Sequence, residues 1–451
     1  MTVPPVATAA QSAGPAGEAV DVDTDVQEVV AGRRGPDDVC RFLTEVVPVT
    51  VADVLEGQHP DRARRAQVRV TRSKLKPGRK LTVSVAVAGG GGAEERPATV
   101  TWVPGARPSV VAAPADPAFP LLVDVYDPAR LAGILGDAGV TGFEDGLRVI
   151  PLRYRPGQRH VLVVESLDRQ VRLFAKCYRD GSGAEVVHAS RTVAEALSRS
   201  NAPAGTARVA GHVPSHGLVL WHGDEGPPLS HVLVDQAVMM SVQQAHAGRA
   251  GAALRAVHDG TSTTRDGRHR SDPEAEAATT RRSLEHVAAL APGSAGALES
   301  LLSETVAQLT ELPDETGHLL HGDYKCDNLL VTDDRLVLLD FDRVTVGDPA
   351  LDLGKLLADL RWWSRSGGRS PTALVDAFLY GYGPCPPTRL TRALLYDVLF
   401  QLRALGRRIP LHEPGWSAAV EEGLAAAADS ARGCSGEATR QTRRVLGARA
   451  R

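Results

Sequence analysis

A twenty-residue pattern occurs twice in this chain and constrains its fold. Residues 68–87 (VRVTRSKLKPGRKLTVSVAV) align without gaps with residues 147–166 (LRVIPLRYRPGQRHVLVVES), and each copy gives a strand, a basic Pro-Gly turn and a second strand. Proline fixes φ at the corner and glycine accepts a positive φ, as a type II turn between strands requires. Each copy therefore predicts a β-hairpin. The second copy continues into RLFAKCY, with Lys176 inside an apolar strand, whereas the first continues into ATVTWV, which has no lysine.

The chain has 451 residues, which is too long for one compact core, because single cores stop growing beyond roughly 250–300 residues. Residues 1–35 are rich in Ala, Pro, Gly and Asp without an apolar period, and they predict a flexible tail. We expect an accessory β-containing module over residues 36–120, which holds the first hairpin. A sheet-containing lobe over residues 121–223 and a helical lobe over residues 224–451 then follow, so the predicted fold class is α+β.

The overall charge favours no macromolecular partner. The formal net charge is −3, whereas a nucleic-acid-binding surface needs a basic excess. The five cysteines are far apart and form no C-x-x-C pair, which predicts neither a zinc site nor a disulfide framework. No basic leader and no apolar run of about 18 residues is present, so we expect a cytoplasmic protein without membrane contact.

The segment HLLHGDYKCDNLLVTDDRLVLLDFDRVTVGDPALDLGKLL, residues 318–357, carries the strongest chemical signal. Asp323 follows His321 and Gly322, Asn328 lies five residues later, and Asp340 ends an apolar strand. A phosphoryl-transfer site must orient an attacking hydroxyl and hold Mg²⁺, which prefers hard oxygen ligands. Asp323 and Asn328 in one short loop, with Asp340 beside them, meet both requirements.

This segment resembles the aminoglycoside phosphotransferase and choline kinase-like family. That family's pattern is H-G-D-x-x-x-x-N, then [IL]-D-[FWL], then G-D-P-x-x-D-L, and this chain has HGDYKCDN, LLDFD and GDPALDLGKLL. The resemblance spans roughly residues 147–405 and implies a two-lobed protein-kinase-like fold that uses ATP and Mg²⁺. It implies Asp323 as catalytic base, Asn328 and Asp340 as magnesium ligands, and Asp352 or Asp348 as a support for the catalytic loop.

Lys176 is the predicted contact for the nucleotide phosphates. An unpaired ammonium on an apolar strand is costly, so this side chain needs a partner, for which a phosphate is suited. The family resemblance adds a glutamate on the next helix, and we expect Glu195, which lies deeper in that helix than the alternative Glu185. The competing interpretation is an edge-strand lysine that extends its amine to water.

Two further sets of residues are predicted to touch the nucleotide. The turn with Gly157 and Arg159 stands where the family has its glycine-rich loop, although it has one glycine; backbone amides and the arginine can approach phosphate there. A merely structural turn is an equal alternative. Trp221 and His222, at the end of an apolar strand, stand where the family binds adenine through the backbone. Asp342 can join the metal site, but the sequence favours a loop cap or a pair with Arg343 for it.

We therefore predict an ATP-dependent phosphotransferase that acts on a hydroxyl of a small molecule, such as an antibiotic, a sugar or an amino alcohol, or of a natural-product precursor peptide. The C-terminal helices have no dense acidic cluster, which argues against a polycationic aminoglycoside. The alternatives are a nucleotide-binding pseudokinase or scaffold and, less favoured, a protein kinase. The sequence leaves open the choice of ATP or GTP and the oligomeric state.

Overall fold

A computed structural model describes residues 22–58, 67–88, 95–179, 181–223, 226–260 and 272–448. Helix α1 (Val22–Ala31) comes first and is followed by α2 (Pro36–Arg41), a π-helical turn (Phe42–Val46) and α3 (Val47–Gln58). Val26, Val29 and Val30 of α1 are buried. The predicted tail is therefore wrong for residues 22–31, because valines at helical spacing give α1 an apolar face that packs against the core. Residues 1–21 lie outside the described residues.

The first hairpin repeat forms the edge of a four-stranded antiparallel sheet. Its strand order is β1-β2-β3-β4, with β1 Gln67–Lys76, β2 Lys80–Ala88, β3 Arg96–Trp102 and β4 Ser109–Ala112. Leu75 and Leu81 face inward and share one apolar core with the helical part of the chain. At the turn the Gly78 amide donates to the Val30 carbonyl at 2.8 Å, and Arg79 pairs with Glu285. The first sheet is thus attached to helices that lie far away in sequence.

The second repeat begins a five-stranded sheet with its own apolar core. Two helices contribute to that core: α4 (Leu122–Val125) supplies Leu122 and Val125, and α5 (Pro128–Asp137) supplies Leu131 and Leu135. The strand order is β5-β6-β7-β10-β9, with β5 Leu147–Arg155, β6 Arg159–Ser166, β7 Arg172–Tyr178, β9 Val209–Val213 and β10 Leu218–His222. Helix α6 (Gly183–Ser198) connects β7 to the short strand β8 (Ala204–Thr206).

Both predicted hairpins are present, with the same register across the turn. Lys76 pairs with Lys80 in the first copy, and Arg155 pairs with Arg159 in the second. Gly78 and Gly157 have φ values of +68° and +64°, which an L side chain adopts only with strain. This positive φ is the reason that both turns contain glycine.

The helical part supports two small sheets that hold the catalytic segment. Strand β11 (His318–Leu320) pairs with β14 (Thr345–Gly347), and β12 (Leu329–Val331) pairs with β13 (Leu336–Leu338), which also pairs with β8. The helices are α7 Leu229–Val234, α8 Met240–His258, α9 Pro273–Leu290, α10 Pro292–Glu311, α11 Ala350–Ser366, α12 Thr372–Tyr382, α13 Pro387–Arg408 and α14 Trp416–Ala448. The order of a small sheet followed by a helical part agrees with the prediction. The domain boundaries predicted at residues 36, 121 and 224 stay a prediction. No helix in the described ranges is long and apolar enough to cross a membrane.

Candidate active site

Hydrogen bonds from backbone amides to the Asp352 carboxylate hold the loop that carries Asp323. The two carboxylate oxygens of Asp352 accept hydrogen bonds from the His321 and Gly322 amides at 2.7 and 2.9 Å. His258 lies 3.6 Å from the same carboxylate. Burial opposes ionisation, but His258 lowers the pKa of Asp352. The other predicted support, Asp348, instead accepts a hydrogen bond from Arg392 at 2.7 Å.

Asp323 lies between two lysines and the predicted metal ligand Asn328. Its carboxylate is 2.6 Å from Lys325 Nζ and 2.9 Å from Lys355 Nζ. Asn328 Nδ2 donates to the Asp323 carbonyl at 2.9 Å and approaches its carboxylate at 3.2 Å. Burial alone would raise the pKa of Asp323, but Lys355 and Lys325 hold it well below its usual range. The carboxylate is therefore ionised at neutral pH and available to accept a hydrogen bond from a hydroxyl.

Asp340 reaches the same site from the end of β13. It has a left-handed φ of +68°, uncommon outside glycine, and its carboxylate accepts a hydrogen bond from Lys176 at 2.8 Å. Burial would raise the pKa of Asp340, whereas Lys176 and Arg159 lower it, and Asp323 is close enough to oppose them. The predicted lysine and the predicted metal ligand are thus direct neighbours.

Asp342 belongs to the site, contrary to the interpretation that the sequence favoured. Its carboxylate accepts hydrogen bonds from Tyr178 Oη at 2.7 Å and Lys176 Nζ at 3.3 Å, and Arg159 also pairs with it. Asp340 and Asp342 therefore place two carboxylates against the cationic face of the second sheet. The sequence signal is the D-F-D spacing itself, because two carboxylates only two residues apart can reach the same site.

Glu195 is not the partner of Lys176. Its side chain is 65% exposed at the C-terminal end of α6 and lies 3.4 Å from Arg199. The predicted Lys176–Glu195 pair is therefore wrong for this structure, because Asp340 and Asp342 balance the Lys176 charge instead. Glu185, the alternative, lies in the first turn of α6.

The turn at Gly157 is held by a carboxylate from a distant part of the chain. The Gly157 amide donates to Asp116 Oδ2 at 2.8 Å, and Tyr154 Oη donates to the same oxygen at 3.1 Å. Because the amide already has an acceptor, the geometry favours the structural alternative for Gly157. Arg159, two residues further on, does lie in the site, with its guanidinium 3.7 Å from Asp340.

Trp221 and His222 lie at the end of β10, beside β7. The Trp221 ring centroid is 5.6 Å from Lys176 Nζ, so the indole lines the site beneath the lysine. The amides of His222 and Gly223 donate to the carbonyls of Arg208 and Arg172 at 2.9 and 3.1 Å. Contact between His222 and a nucleotide base remains a prediction.

The structure thus brings most predicted site residues together in one site: Asp323, Asn328, Asp340, Lys176, Arg159 and Trp221. The site also contains Asp342, for which the sequence favoured another function. It further contains three residues that the sequence did not indicate: Tyr178, Lys325 and Lys355. A separate cavity of about 790 Å³ lies between the C-terminal ends of α6, α8 and α12, lined in part by Arg199, Arg255 and Tyr380. It contains none of the predicted site residues.

Comparison with known families decides the class of the protein. Residues 155–395, slightly more than half of the chain, match the APH phosphotransferase enzyme family. The chain belongs to this family. Membership confirms the predicted class, an ATP-dependent phosphotransferase with a hydroxyl acceptor, and with the small sheet and helical lobe it confirms the two-lobed kinase-like fold. A search of curated protein sequences found no match to this chain.

Solved structures give weaker likenesses. A choline/ethanolamine kinase family protein from Mesorhizobium loti is 16% identical, with a TM-score of 0.46 over 67% of this chain and 93% of that one. A spectinomycin phosphotransferase in complex with ADP and spectinomycin is 12% identical, with a TM-score of 0.45 over 67% and 94%. An amicoumacin kinase with AMP-PNP and Ca²⁺ is 15% identical, with a TM-score of 0.45 over 68% and 95%. Because these scores are below 0.5, the family match carries the assignment.

Proposed function

We propose that this site transfers the γ-phosphoryl group of Mg·ATP to a hydroxyl of an acceptor, with Asp323 as the residue that orients and deprotonates the hydroxyl. The observation that carries this proposal is the convergence of Asp323, Asn328, Asp340 and Lys176 in one site. Phosphoryl transfer depends mainly on positioning and charge neutralisation, so these few polar groups suffice.

The oxygen donors present suit magnesium. Asp340 and Asp342 offer two carboxylates side by side, and Asn328 offers an amide oxygen, which are the hard donors that Mg²⁺ prefers. We assign Asn328 and Asp340 as its ligands. When bound, the ion neutralises phosphate charge and orients the phosphates. Lys176 and Arg159 balance the two carboxylates in the structure described here and are placed to move onto phosphate oxygens.

Asp323 has the geometry of a proton acceptor. It is ionised and held by Lys325 and Lys355, and its loop is fixed by Asp352. Such a fixed carboxylate lowers the barrier by accepting the acceptor's proton as the new P–O bond forms and the β,γ-bridging P–O bond breaks, with ADP leaving.

The acceptor that we propose is a small molecule such as an antibiotic, a sugar or an amino alcohol, or a precursor peptide. The chemistry of the site fits each of them. We also propose a cytoplasmic location, in keeping with the five cysteines, all of which are free thiols. A pseudokinase is the alternative, and intact Asp323, Asn328, Asp340 and Lys176 argue against it.

Acceptor-dependent ADP formation tests the proposal. Asp323→Asn should lower turnover by about 10²–10⁴-fold, the range for loss of a general base, while ATP still binds. Asp327→Asn is the matched control, because Asp327 lies in the same loop with 44% of its side chain exposed and only a 3.9 Å approach to Arg408. If Asp323→Asn turns over as fast as Asp327→Asn, Asp323 is not the base. If no ADP forms in the wild type with any acceptor, the pseudokinase interpretation replaces this one.

A further inference from the structure

A series of polar side chains leads from the surface of the helical lobe to the loop that carries Asp323. We call it the polar series: Glu315, Arg389, Tyr382, His258 and Asp352. The side chains of His258 and Asp352 have no exposed surface. Tyr382 is 2% exposed and Arg389 is 6% exposed. Polar groups this deeply buried are stable when each donor faces an acceptor, which fixes the direction of every contact.

The outer end of the polar series sets the direction of its hydrogen bonds. The Arg389 guanidinium donates to both carboxylate oxygens of Glu315, and its Nε lies 3.1 Å from Oε1. Because arginine only donates, its Nη1, 3.0 Å from Tyr382 Oη, makes the phenol oxygen an acceptor at this contact. The hydroxyl hydrogen of Tyr382 is then directed at His258 Nδ1, which lies 2.9 Å from Oη.

This direction determines the tautomer of His258. Since Tyr382 donates to Nδ1, the proton of the neutral ring lies on Nε2. If the ring donated instead, the Tyr382 hydroxyl would accept twice and its own buried hydrogen would lose this acceptor. Nε2 faces Asp352 Oδ2 at 3.6 Å, where an N–H is attracted and a lone pair would be repelled. Burial, opposed by Asp352, lowers the pKa of His258 and keeps the ring neutral at pH 7.

A second branch from Arg389 holds the backbone of His258. Arg389 Nη2 lies 3.3 Å from His318 Nε2, and His318 Nδ1 lies 2.9 Å from the His258 carbonyl oxygen. Arg389 donates at the first contact and the carbonyl accepts at the second, so the proton of His318 lies on Nδ1. His318 begins β11, the strand that leads into the catalytic segment. One arginine thus orients both the ring and the main chain of His258.

Asp352 connects the polar series to the reacting group. Its carboxylate accepts hydrogen bonds from the amides of His321 and Gly322, the two residues that precede Asp323. The Nε2–H of His258 attracts the same carboxylate and holds it in place, because opposite partial charges face each other in a buried site. The orientation of the His258 ring therefore affects the position of the Asp323 carboxylate.

We propose, resting on the function proposed above, that Tyr382 and Arg389 are positioning residues for phosphoryl transfer. They hold His258 in the tautomer and orientation that support Asp352, and thereby the loop of Asp323. Without the Tyr382 hydroxyl, Nδ1 of His258 would be a buried acceptor that has lost its donor, which favours rotation of the ring away from Asp352. Tyr382 lines the separate cavity of about 790 Å³ rather than the site itself, so the motifs of the site do not indicate it.

Nitrogen NMR of the histidine rings tests the tautomer in the full chain without turnover. With ¹⁵N-labelled histidine, the chemical shift of each ring nitrogen shows whether it carries a proton or a lone pair. We expect a proton on Nε2 and a hydrogen-bonded lone pair on Nδ1 of His258, whose signals are identified by their loss in His258→Gln. In Tyr382→Phe the Nδ1 signal should move to the position of a lone pair without a donor. A proton on Nδ1 in the wild type, or an unchanged Nδ1 signal in Tyr382→Phe, would overturn the inference.

Kinetics then separate positioning from general stabilisation. Tyr382→Phe should lower kcat by about tenfold, as loss of one buried hydrogen bond does, with little change in KM for ATP, because Asp323 acts in the chemical step. Tyr380→Phe is the matched control, since Tyr380 lies in the same helix and lines the same cavity but is 65% exposed. In the His258→Gln background, which removes the ring through which Tyr382 acts, Tyr382→Phe should cause no further loss.

Three outcomes would contradict the positioning function. A lower unfolding midpoint in Tyr382→Phe with the kcat of Tyr380→Phe would show a purely structural function. Equal losses from Tyr382→Phe with and without His258 would show that the hydroxyl does not act through this ring. ADP formation that is lost in Asp323→Asn but intact in Tyr382→Phe would contradict this inference alone, whereas a wild type that forms no ADP would contradict the proposed function and this inference together.

Discussion

The two hairpin repeats share a backbone and differ in what surrounds them. In both, the turn glycine donates its amide to an acceptor from elsewhere in the chain. The acceptor is the Val30 carbonyl at 2.8 Å in the first copy and the Asp116 carboxylate at 2.8 Å in the second. On the third strand, Thr101 opposes Thr82 in the first copy where Lys176 opposes Val161 in the second. The same hairpin backbone therefore occurs with and without a catalytic function. The difference lies in one residue on the neighbouring strand, which is Lys176 beside the second copy and Thr101 beside the first.

Exchange of the residue that differs should have the largest effect. Lys176→Thr gives the second sheet the side chain of the first, and it removes the ammonium that lies 2.8 Å from Asp340. We expect acceptor-dependent ADP formation to fall by at least about 100-fold, because phosphate positioning depends on this charge. Thr101→Val is the control and should retain wild-type turnover. Comparable activity in Lys176→Thr and Thr101→Val would show that the lysine on the second sheet is not needed for turnover.

A histidine buried under the second hairpin should make the stability of the protein decrease at acid pH. His160 is buried at the position that Leu81 holds in the first copy, and its pKa is lowered to about 4 from the usual 6.5, first by burial, with Asp116 opposing that shift. A lowered histidine pKa means that the unfolded state binds the proton more tightly. Stability is therefore retained above pH 6.5 and decreases as the pH falls toward 4, by up to about 3 kcal/mol from this group.

Urea unfolding of the wild type and His160→Leu at pH 7 and pH 4 measures this contribution. The variant should gain stability relative to the wild type as the pH is lowered. Parallel pH dependence of the two proteins would contradict the account of His160.

Loss of the carboxylate at the second turn should affect nucleotide binding more than the chemical step. Asp116 accepts hydrogen bonds from the amides of Gly157 and Ala118, at 2.8 and 3.0 Å, and thereby fixes the turn that carries Arg159. Asp116→Ala should raise KM for ATP by about tenfold, with a smaller change in kcat, since Asp116 positions the turn without touching the reacting atoms. Asp116→Asn should retain part of the affinity. A loss confined to kcat would argue against a positioning function.

The smallest effect is expected at the first turn. Arg79 and Glu285 pair at the surface, with 57% and 35% of their side chains exposed. Arg79→Ala should lower the free energy of unfolding by less than about 1 kcal/mol and leave turnover unchanged, as exposed ion pairs contribute little. A larger change in the urea midpoint would show that the contact of this turn with α9 contributes more to stability than expected for an exposed ion pair.

Local patterns in the sequence predicted much of the fold and the centre of the site. The hairpins followed from alternation around Pro-Gly, and Asp323, Asn328 and Asp340 followed from fixed spacing. The partner of Lys176 could not be predicted in this way. The position of Glu195 in the helical pattern does not reveal that its side chain faces solvent at the end of α6. The contact between Asp116 and Gly157 joins residues 41 apart through an irregular segment, which no periodic pattern records. Helix α1 could have been predicted from Val26, Val29 and Val30, whose spacing fits one helical face.

A crystal structure with Mn²⁺ and AMP-PNP would show whether the carboxylates, the amide and the lysine of this site bind the metal and the nucleotide. We expect an anomalous manganese peak coordinated by Asp340 and Asn328, with Lys176 moved from Asp342 onto a phosphate oxygen and the γ-phosphate facing Asp323. A nucleotide bound elsewhere, for example in the cavity beside Tyr380, with Lys176 still paired to Asp340 and Asp342, would contradict it.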